Sequence, residues 1–101
     1  MRWGTEMGLQ EALRTIFSEQ FDPEKTAMEE PAVGRTLFFG ETVGTLVKHG
    51  LIDRDLMLDL LWLEGIWDRV APHAKLARER DGEPRLYENF EALVAKVPVT
   101  P

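Results

Sequence analysis

The chain has 101 residues, a net charge of −6 and no cysteine. Its length suits one domain, residues 1–101. Hydrophobic residues make up 44% of the chain and charged residues 30%, a composition that is typical of globular rather than disordered proteins. Without cysteine, the chain can form neither a disulfide nor a thiolate metal site. Both halves of the chain are acidic and neither carries a strong basic cluster, so we expect no nucleic-acid binding.

The chain also lacks the pattern of a membrane span. Its most apolar stretch, residues 56–67, is interrupted by Asp59 and Glu64, whereas a spanning helix needs about 20 apolar residues. The start of the chain carries no long apolar run of the kind found in signal peptides. We therefore predict a cytoplasmic protein, which the absence of cysteine also fits.

Two helices are predicted in the first third of the chain. The first covers residues 6–20 with Thr5 as its N-cap, because apolar side chains recur there at helical spacing. The second begins at Asp22, which can cap a helix whose first residue is Pro23. This second helix is predicted to be short, because Pro31 forces the residue before it out of the α-helical region.

The next predicted helix covers residues 32–49 and contains Gly40 and Gly44, four residues apart. Each glycine lowers the helix propensity by about 1 kcal/mol relative to alanine. We interpret the pair as a close helix crossing or a break near Gly40; the alternative is backbone exposed to a ligand. The last predicted helix covers residues 86–96.

A long central helix is predicted from Asp53, its N-cap, to about Arg80. Its apolar side chains follow a heptad seam: Leu56, Leu60, Leu63, Trp67, Val70 and Ala74. Pro72 predicts a kink near residues 68–72, and a full break with a new helix at Pro72 is the alternative. The predicted fold is all-α, a small antiparallel bundle of four to five helices around this Pro-kinked helix.

The central helix carries a second apolar flank, formed by Leu58, Trp62 and Ile66. An apolar flank that the bundle cannot bury would be an exposed patch, and such patches mark partner surfaces. We therefore predict an interaction or regulatory module that forms a homodimer through these three residues. Another protein as partner is also possible.

The other class of function would use the acidic residues. Asp55 and Asp59 lie one turn apart on the predicted central helix, and together with His73 and Glu88 they are candidates for a metal or ligand site in a small helical enzyme. The chain has no phosphate-binding loop, no nucleophile motif and no metal-ligand spacing of a known type. The sequence thus favours a protein without catalytic residues, metal or cofactor. Asp59 interrupts an apolar run and is expected to be buried beside an arginine.

The second half of the chain, over about residues 35–95, resembles a family of uncharacterised bacterial helical domains of unknown function. The matching residues are Gly44, Gly50, Leu51, Ile52, Asp53, Leu56, Asp59, Trp67, Pro72, Arg78 and the run Leu86-Tyr87-Glu88-Asn89-Phe90-Glu91. The resemblance implies a helical domain and no particular activity. It makes Asp59, Arg78, Tyr87 and Asn89 candidates for buried or functional polar residues, alongside His73. Some relatives carry a membrane segment, which suggests docking on a membrane protein as a third possibility.

Overall fold

The computed structural model describes residues 8–26 and 30–95. Within these residues it contains five α-helices and no β-strand. The helices are α1 Leu9–Ile16, α2 Pro31–Lys48, α3 Arg54–Leu60, α4 Leu63–Asp81 and α5 Glu88–Val94. The small all-α bundle predicted from the sequence is confirmed.

Helix α2 lies at the centre of the bundle and packs against α1, α4 and α5. The core between these helices is formed by side chains from each of them. Its largest fully buried apolar members are Ile16, Val33, Leu37, Leu63, Val70 and Phe90. The central position that the sequence assigned to the helix starting near Asp53 therefore belongs to α2.

Helix α1 ends at Ile16, four residues before the predicted end. The chain turns there because the side chain of Arg69 binds the carbonyl oxygens of Ile16 and Phe21, with N···O distances of 2.6 and 2.9 Å. These bonds hold residues 17–21 as a loop across α4. The predicted N-cap Thr5 lies outside the described residues.

A second helix beginning at Asp22 is not found in residues 22–26, which form one turn. Asp22 does cap this turn, because its carboxylate accepts from the Glu24 amide at 2.8 Å. The amide of Asp22 in turn donates to the Thr26 hydroxyl at 2.9 Å, which closes the turn. Residues 27–29 lie outside the described part of the chain.

The predicted long central helix is two helices. The backbone leaves the helical conformation at Leu61 and Trp62, between α3 and α4. As a result Leu56 and Leu60 are 56% and 69% exposed, while Leu63 is buried. The predicted burial of the heptad seam is wrong for its first two positions, because no other described helix packs against these two leucines.

Helix α4 runs through Pro72 without a break and ends at Gly82, whose φ is 63°. The alternative of a new helix starting at Pro72 is therefore wrong. Helix α5 begins at Glu88, two residues after the predicted start, and Lys96 lies outside the described residues. None of the described helices has the length and apolar character needed to cross a membrane.

Candidate functional site

Helices α2 and α5 cross at the two glycines of α2. The backbone carbonyl of Asn89 lies so close to Gly44 that a Cβ at this position would overlap it, and the ring of Phe90 lies equally close to Gly40. Helix α2 is unbroken at both positions. The interpretation of these glycines as a close helix crossing is confirmed, and the break near Gly40 is wrong.

Glu41, between the two glycines, caps the start of α5. One oxygen of its carboxylate accepts from the backbone amides of Asn89 and Phe90, at 3.0 and 2.9 Å. The other oxygen accepts from the side-chain amide of Asn89 at 2.9 Å, and that amide also donates to the Thr45 hydroxyl at 3.1 Å. A carboxylate at this place satisfies amides that a helix start leaves without partners and suits the positive end of the helix dipole.

The turn before α5 is held by Arg78 of α4. Its Nε donates to the Leu86 carbonyl at 2.7 Å. Its Nη2 lies 2.9 Å from the Glu91 carboxylate, as an ion pair rather than an aligned hydrogen bond. Tyr87 follows with a φ of 60°, a left-handed conformation that is rare for a residue with a side chain. This conformation turns the chain so that the next amides face Glu41.

Three of the five polar candidates from the sequence, Arg78, Tyr87 and Asn89, therefore lie together at the start of α5. The contacts of Arg78 and Asn89 attach α5 to α4 and α2. Asp59 does not join them: it is exposed on α3, contrary to the expectation of a buried carboxylate. The burial was expected from the apolar run around Asp59, but the break at Leu61 leaves this side of α3 facing solvent.

His73 is the fifth candidate and is 1% exposed. Its Nε2 lies 2.8 Å from the Thr26 carbonyl, so this nitrogen carries a proton that is donated to the oxygen. The ring packs against Phe21 with centroids 5.6 Å apart. His73 thus joins α4 to the loop after α1, away from the acidic residues with which the sequence grouped it.

A groove of about 620 Å³ runs along the crossing of α2 and α5. Its floor is formed by small and apolar residues and its rim by charged and amide side chains: Gly44, Val47, Ala92 and Leu93, with Lys48, Arg54, Glu88 and Asn89. Arg54 donates to the carbonyls of Leu93 and Ala95 at 3.1 and 3.0 Å. These bonds satisfy two carbonyls at the end of α5.

The three predicted interface residues are placed differently from one another. Trp62 is 71% exposed, Leu58 is half-buried, and Ile66 is 4% exposed and belongs to the core. The expectation of one exposed face is therefore wrong for Ile66, because the helix that carries it starts only at Leu63 and turns this side chain inward. Trp62 instead stacks on Phe17, with ring centroids 5.7 Å apart and an angle of 11° between the rings.

The stacked pair forms one wall of a second groove, of about 600 Å³, between the end of α1 and the start of α4. We call it the Trp62 groove; it is lined by Phe17, Ser18, Glu19, Phe21, Trp62, Gly65, Asp68 and Arg69. The indole ring lies directly on Gly65 of α4, where a Cβ would overlap the ring. The position of the Trp62 ring therefore depends on a glycine inside the first turn of a helix.

Comparison with known proteins decides the family. The model of a domain of unknown function, DUF4760, matches residues 2–97. The chain belongs to the DUF4760 family. This confirms the resemblance to a family of helical domains of unknown function, while the bacterial source stays a prediction. No curated protein and no solved structure matches the chain.

The acidic site considered from the sequence is not assembled in this DUF4760 chain. Asp55 and Asp59 are exposed on α3, whereas His73 is buried on α4. Glu88 lies on α5 with its carboxylate 3.1 Å from the Arg85 guanidinium, and this hydrogen bond lowers the pKa of Glu88. Across residues 8–26 and 30–95, no three histidine, aspartate or glutamate side chains are grouped so as to hold a metal ion.

Four residues that organise this fold and its grooves were not predicted from the sequence: Phe17, Glu41, Gly65 and Arg69. Glu41 had a signal, since a carboxylate between two glycines in an apolar helix points to a close polar partner. Gly65 had a weaker one, since a glycine three residues after a tryptophan lies on the same face of a helix. Nothing in the local pattern distinguished Arg69 from a solvated arginine.

Proposed function

We propose that this DUF4760 chain is a protein-interaction module and that the Trp62 groove is its docking surface. The observation that supports it is the stacked aromatic pair, with Trp62 71% and Phe17 42% exposed. Tryptophan is enriched at the centres of protein interfaces, where its large rigid surface is buried by the partner. An exposed tryptophan fixed by a second ring is ready to bind without a large ordering cost.

Gly65 strengthens the case. A glycine inside a helix costs about 1 kcal/mol relative to alanine. Here the glycine makes room for the Trp62 ring, yet the ring stays mostly in contact with solvent. Burial in the core does not account for this ring position, whereas contact with a partner does.

The chain next to Trp62 adds exposed apolar surface. Leu60 and Leu56 lie one turn apart on α3 and are 69% and 56% exposed. No residue of α3 is fully buried. An interaction surface that extends from the groove onto α3 would cover side chains that the bundle leaves in water.

The homodimer predicted from the sequence stays a prediction, as does the cytoplasmic location. With Ile66 in the core, the contact foreseen for a dimer is reduced to Leu58 and Trp62. The molar mass in solution, measured by light scattering over a wide range of concentrations, tests the dimer directly. A mass of 11.6 kDa at all concentrations would contradict it.

The proposal is tested by a photoreactive amino acid placed at Ser18, which lines the Trp62 groove, in the full chain with Trp62 intact, expressed in the cells from which the sequence comes. The control carries the same photoreactive group at Phe38 of α2, which is 69% exposed but lines neither groove. We expect a covalent adduct of defined mass from position 18 and none from position 38. No adduct at position 18, or the same adducts at both positions, would refute the proposal.

A further inference from the structure

The chain segment that carries Trp62 is acidic. Residues 53–69 contain five carboxylates and two arginines. All five acidic residues are exposed: Asp53, Asp55, Asp59, Glu64 and Asp68. Surface charges of one sign next to exposed apolar side chains select partners of the opposite charge.

The two arginines of this segment offset part of that charge: with five carboxylates and two guanidinium groups, residues 53–69 keep a net charge of −3. Arg54 donates to two backbone carbonyls at the end of α5. Arg69 donates to carbonyls of the loop after α1, and its guanidinium lies over the Phe21 ring at 5.3 Å. Both cations are therefore directed to backbone oxygens and both side chains are partly buried.

The Trp62 groove itself combines aromatic rings with carboxylates. Trp62 and Phe17 form one wall. Glu19, Asp68 and Arg69 also line the groove, so its charged side chains sum to −1. A cationic side chain is attracted both by the face of an indole ring and by a carboxylate. Arg14, one turn before Phe17 on α1, is an exposed cation, but it lines a neighbouring groove together with Glu11.

Resting on the proposed function, we propose that the partner of the Trp62 groove is a basic segment of another protein. One arginine or lysine side chain of this segment enters the groove between the Trp62 ring and the carboxylates of Glu19 and Asp68. Apolar side chains beside that cation cover the exposed part of the Trp62 side chain. A second copy of this chain would bring the same carboxylates against Glu19 and Asp68, and like charges in contact disfavour binding.

The test uses two synthetic amphipathic peptides and the full chain. One peptide consists of leucine and arginine, and the other has glutamate in place of each arginine. We expect calorimetry to show binding of the arginine peptide, weakened by added salt because the rim charges are exposed, and no binding of the glutamate peptide. Equal binding of the two peptides would overturn the proposal.

Charge reversal in the groove supplies the matched comparison. Glu19→Lys combined with Asp68→Lys should weaken binding of the arginine peptide by about tenfold or more. The control, Glu79→Lys with Glu83→Lys, makes the same change in net charge at exposed residues outside the groove and should leave binding unchanged. An equal loss in both double variants would show attraction to net charge alone and would overturn the placement in the groove. Arginine-peptide binding that survives Trp62→Ala would overturn it as well.

The two proposals fail in different ways. If the photoreactive group at position 18 gives an adduct but neither peptide binds preferentially, the basic partner is wrong and the interaction module stands. If that adduct has twice the mass of the chain, the partner is a second copy and the basic segment is again wrong. If position 18 gives no adduct, the interaction module itself is refuted.

Discussion

The attachment of α5 is best tested by Glu41→Ala. This substitution leaves the backbone amides of Asn89 and Phe90 without the carboxylate that accepts from both. A buried donor left without a partner costs about 1–3 kcal/mol, and losing a helix cap typically costs about 1 kcal/mol. Because the Phe90 amide is fully buried and the Asn89 amide partly buried, we expect the free energy of unfolding to fall by about 2–4 kcal/mol.

A loss of about 2–4 kcal/mol is a large part of the total stability of such a domain. A domain of this length has a free energy of unfolding of about 5–15 kcal/mol. Each 1 kcal/mol shifts the melting temperature of a domain of up to 100 residues by about 4–8 °C, so Glu41→Ala should lower it by about 8–32 °C. Thermal unfolding followed by circular dichroism measures this shift.

The control is Glu79→Ala on the exposed side of α4, which removes the same charge and changes the same side chain. Glu41→Gln should fall between the two, because its amide oxygen can still accept from both backbone amides while its NH₂ group faces the NH₂ group of Asn89. If Glu41→Ala lowers the melting temperature no more than Glu79→Ala, the carboxylate does not hold α5, and the explanation given for the α2–α5 crossing is wrong.

Three further predictions follow from single contacts. Gly44→Ala should destabilise the fold because its methyl group overlaps a backbone carbonyl of α5. Gly34→Ala lies in open space on the same helix and should raise the free energy of unfolding by about 0.5–1 kcal/mol. Chemical denaturation of both variants tests the contrast. Arg69→Lys should cost about 1–2 kcal/mol and speed amide exchange at the end of α1, because an ammonium group lacks the fork that reaches several carbonyls; unchanged exchange would contradict this. The hydrogen bond from Arg85 lowers the pKa of Glu88. This pair therefore stabilises the fold above the ordinary carboxyl pKa, and its contribution is lost as the pH falls through the lowered pKa. Arg85→Gln should raise the Glu88 pKa, as measured by an NMR titration.

Local sequence patterns predicted helix ends where a proline or a glycine marks them. Helix α2 begins one residue before its predicted start because Pro31 itself is the first helical residue, and Gly82 ends α4 as a residue of positive φ does. The helix predicted at Asp22 failed although its capping signal was correct, because the Thr26 hydroxyl takes the Asp22 amide and closes a single turn. Capping chemistry shows where a turn starts, and it does not show how far a helix continues.

At the start of α5, the sequence predicted only the residues to which the family resemblance pointed. Arg78, Tyr87 and Asn89 were identified through the family resemblance, and the structure brings all three to the start of α5. Glu41, the partner of Asn89, lies 48 residues away along the chain, beyond the reach of any local pattern. The break at Leu61 was missed because a heptad repeat continues through it, and periodicity alone does not show whether a partner is present for each apolar position.

The two attachments of α5 differ in the length of chain that each one closes. The bond from Arg78 to Leu86 joins residues eight apart, whereas the bond from Asn89 to Glu41 joins residues 48 apart. Closing the longer loop costs about 1.6 kcal/mol more in chain entropy. We therefore expect the hairpin of α4 and α5 to form early and the contact with Glu41 to form after the folding transition state. In stopped-flow experiments Glu41→Ala should speed unfolding and leave the folding rate nearly unchanged, so the crossing of α2 and α5 would set how long the native state lasts rather than how fast it forms.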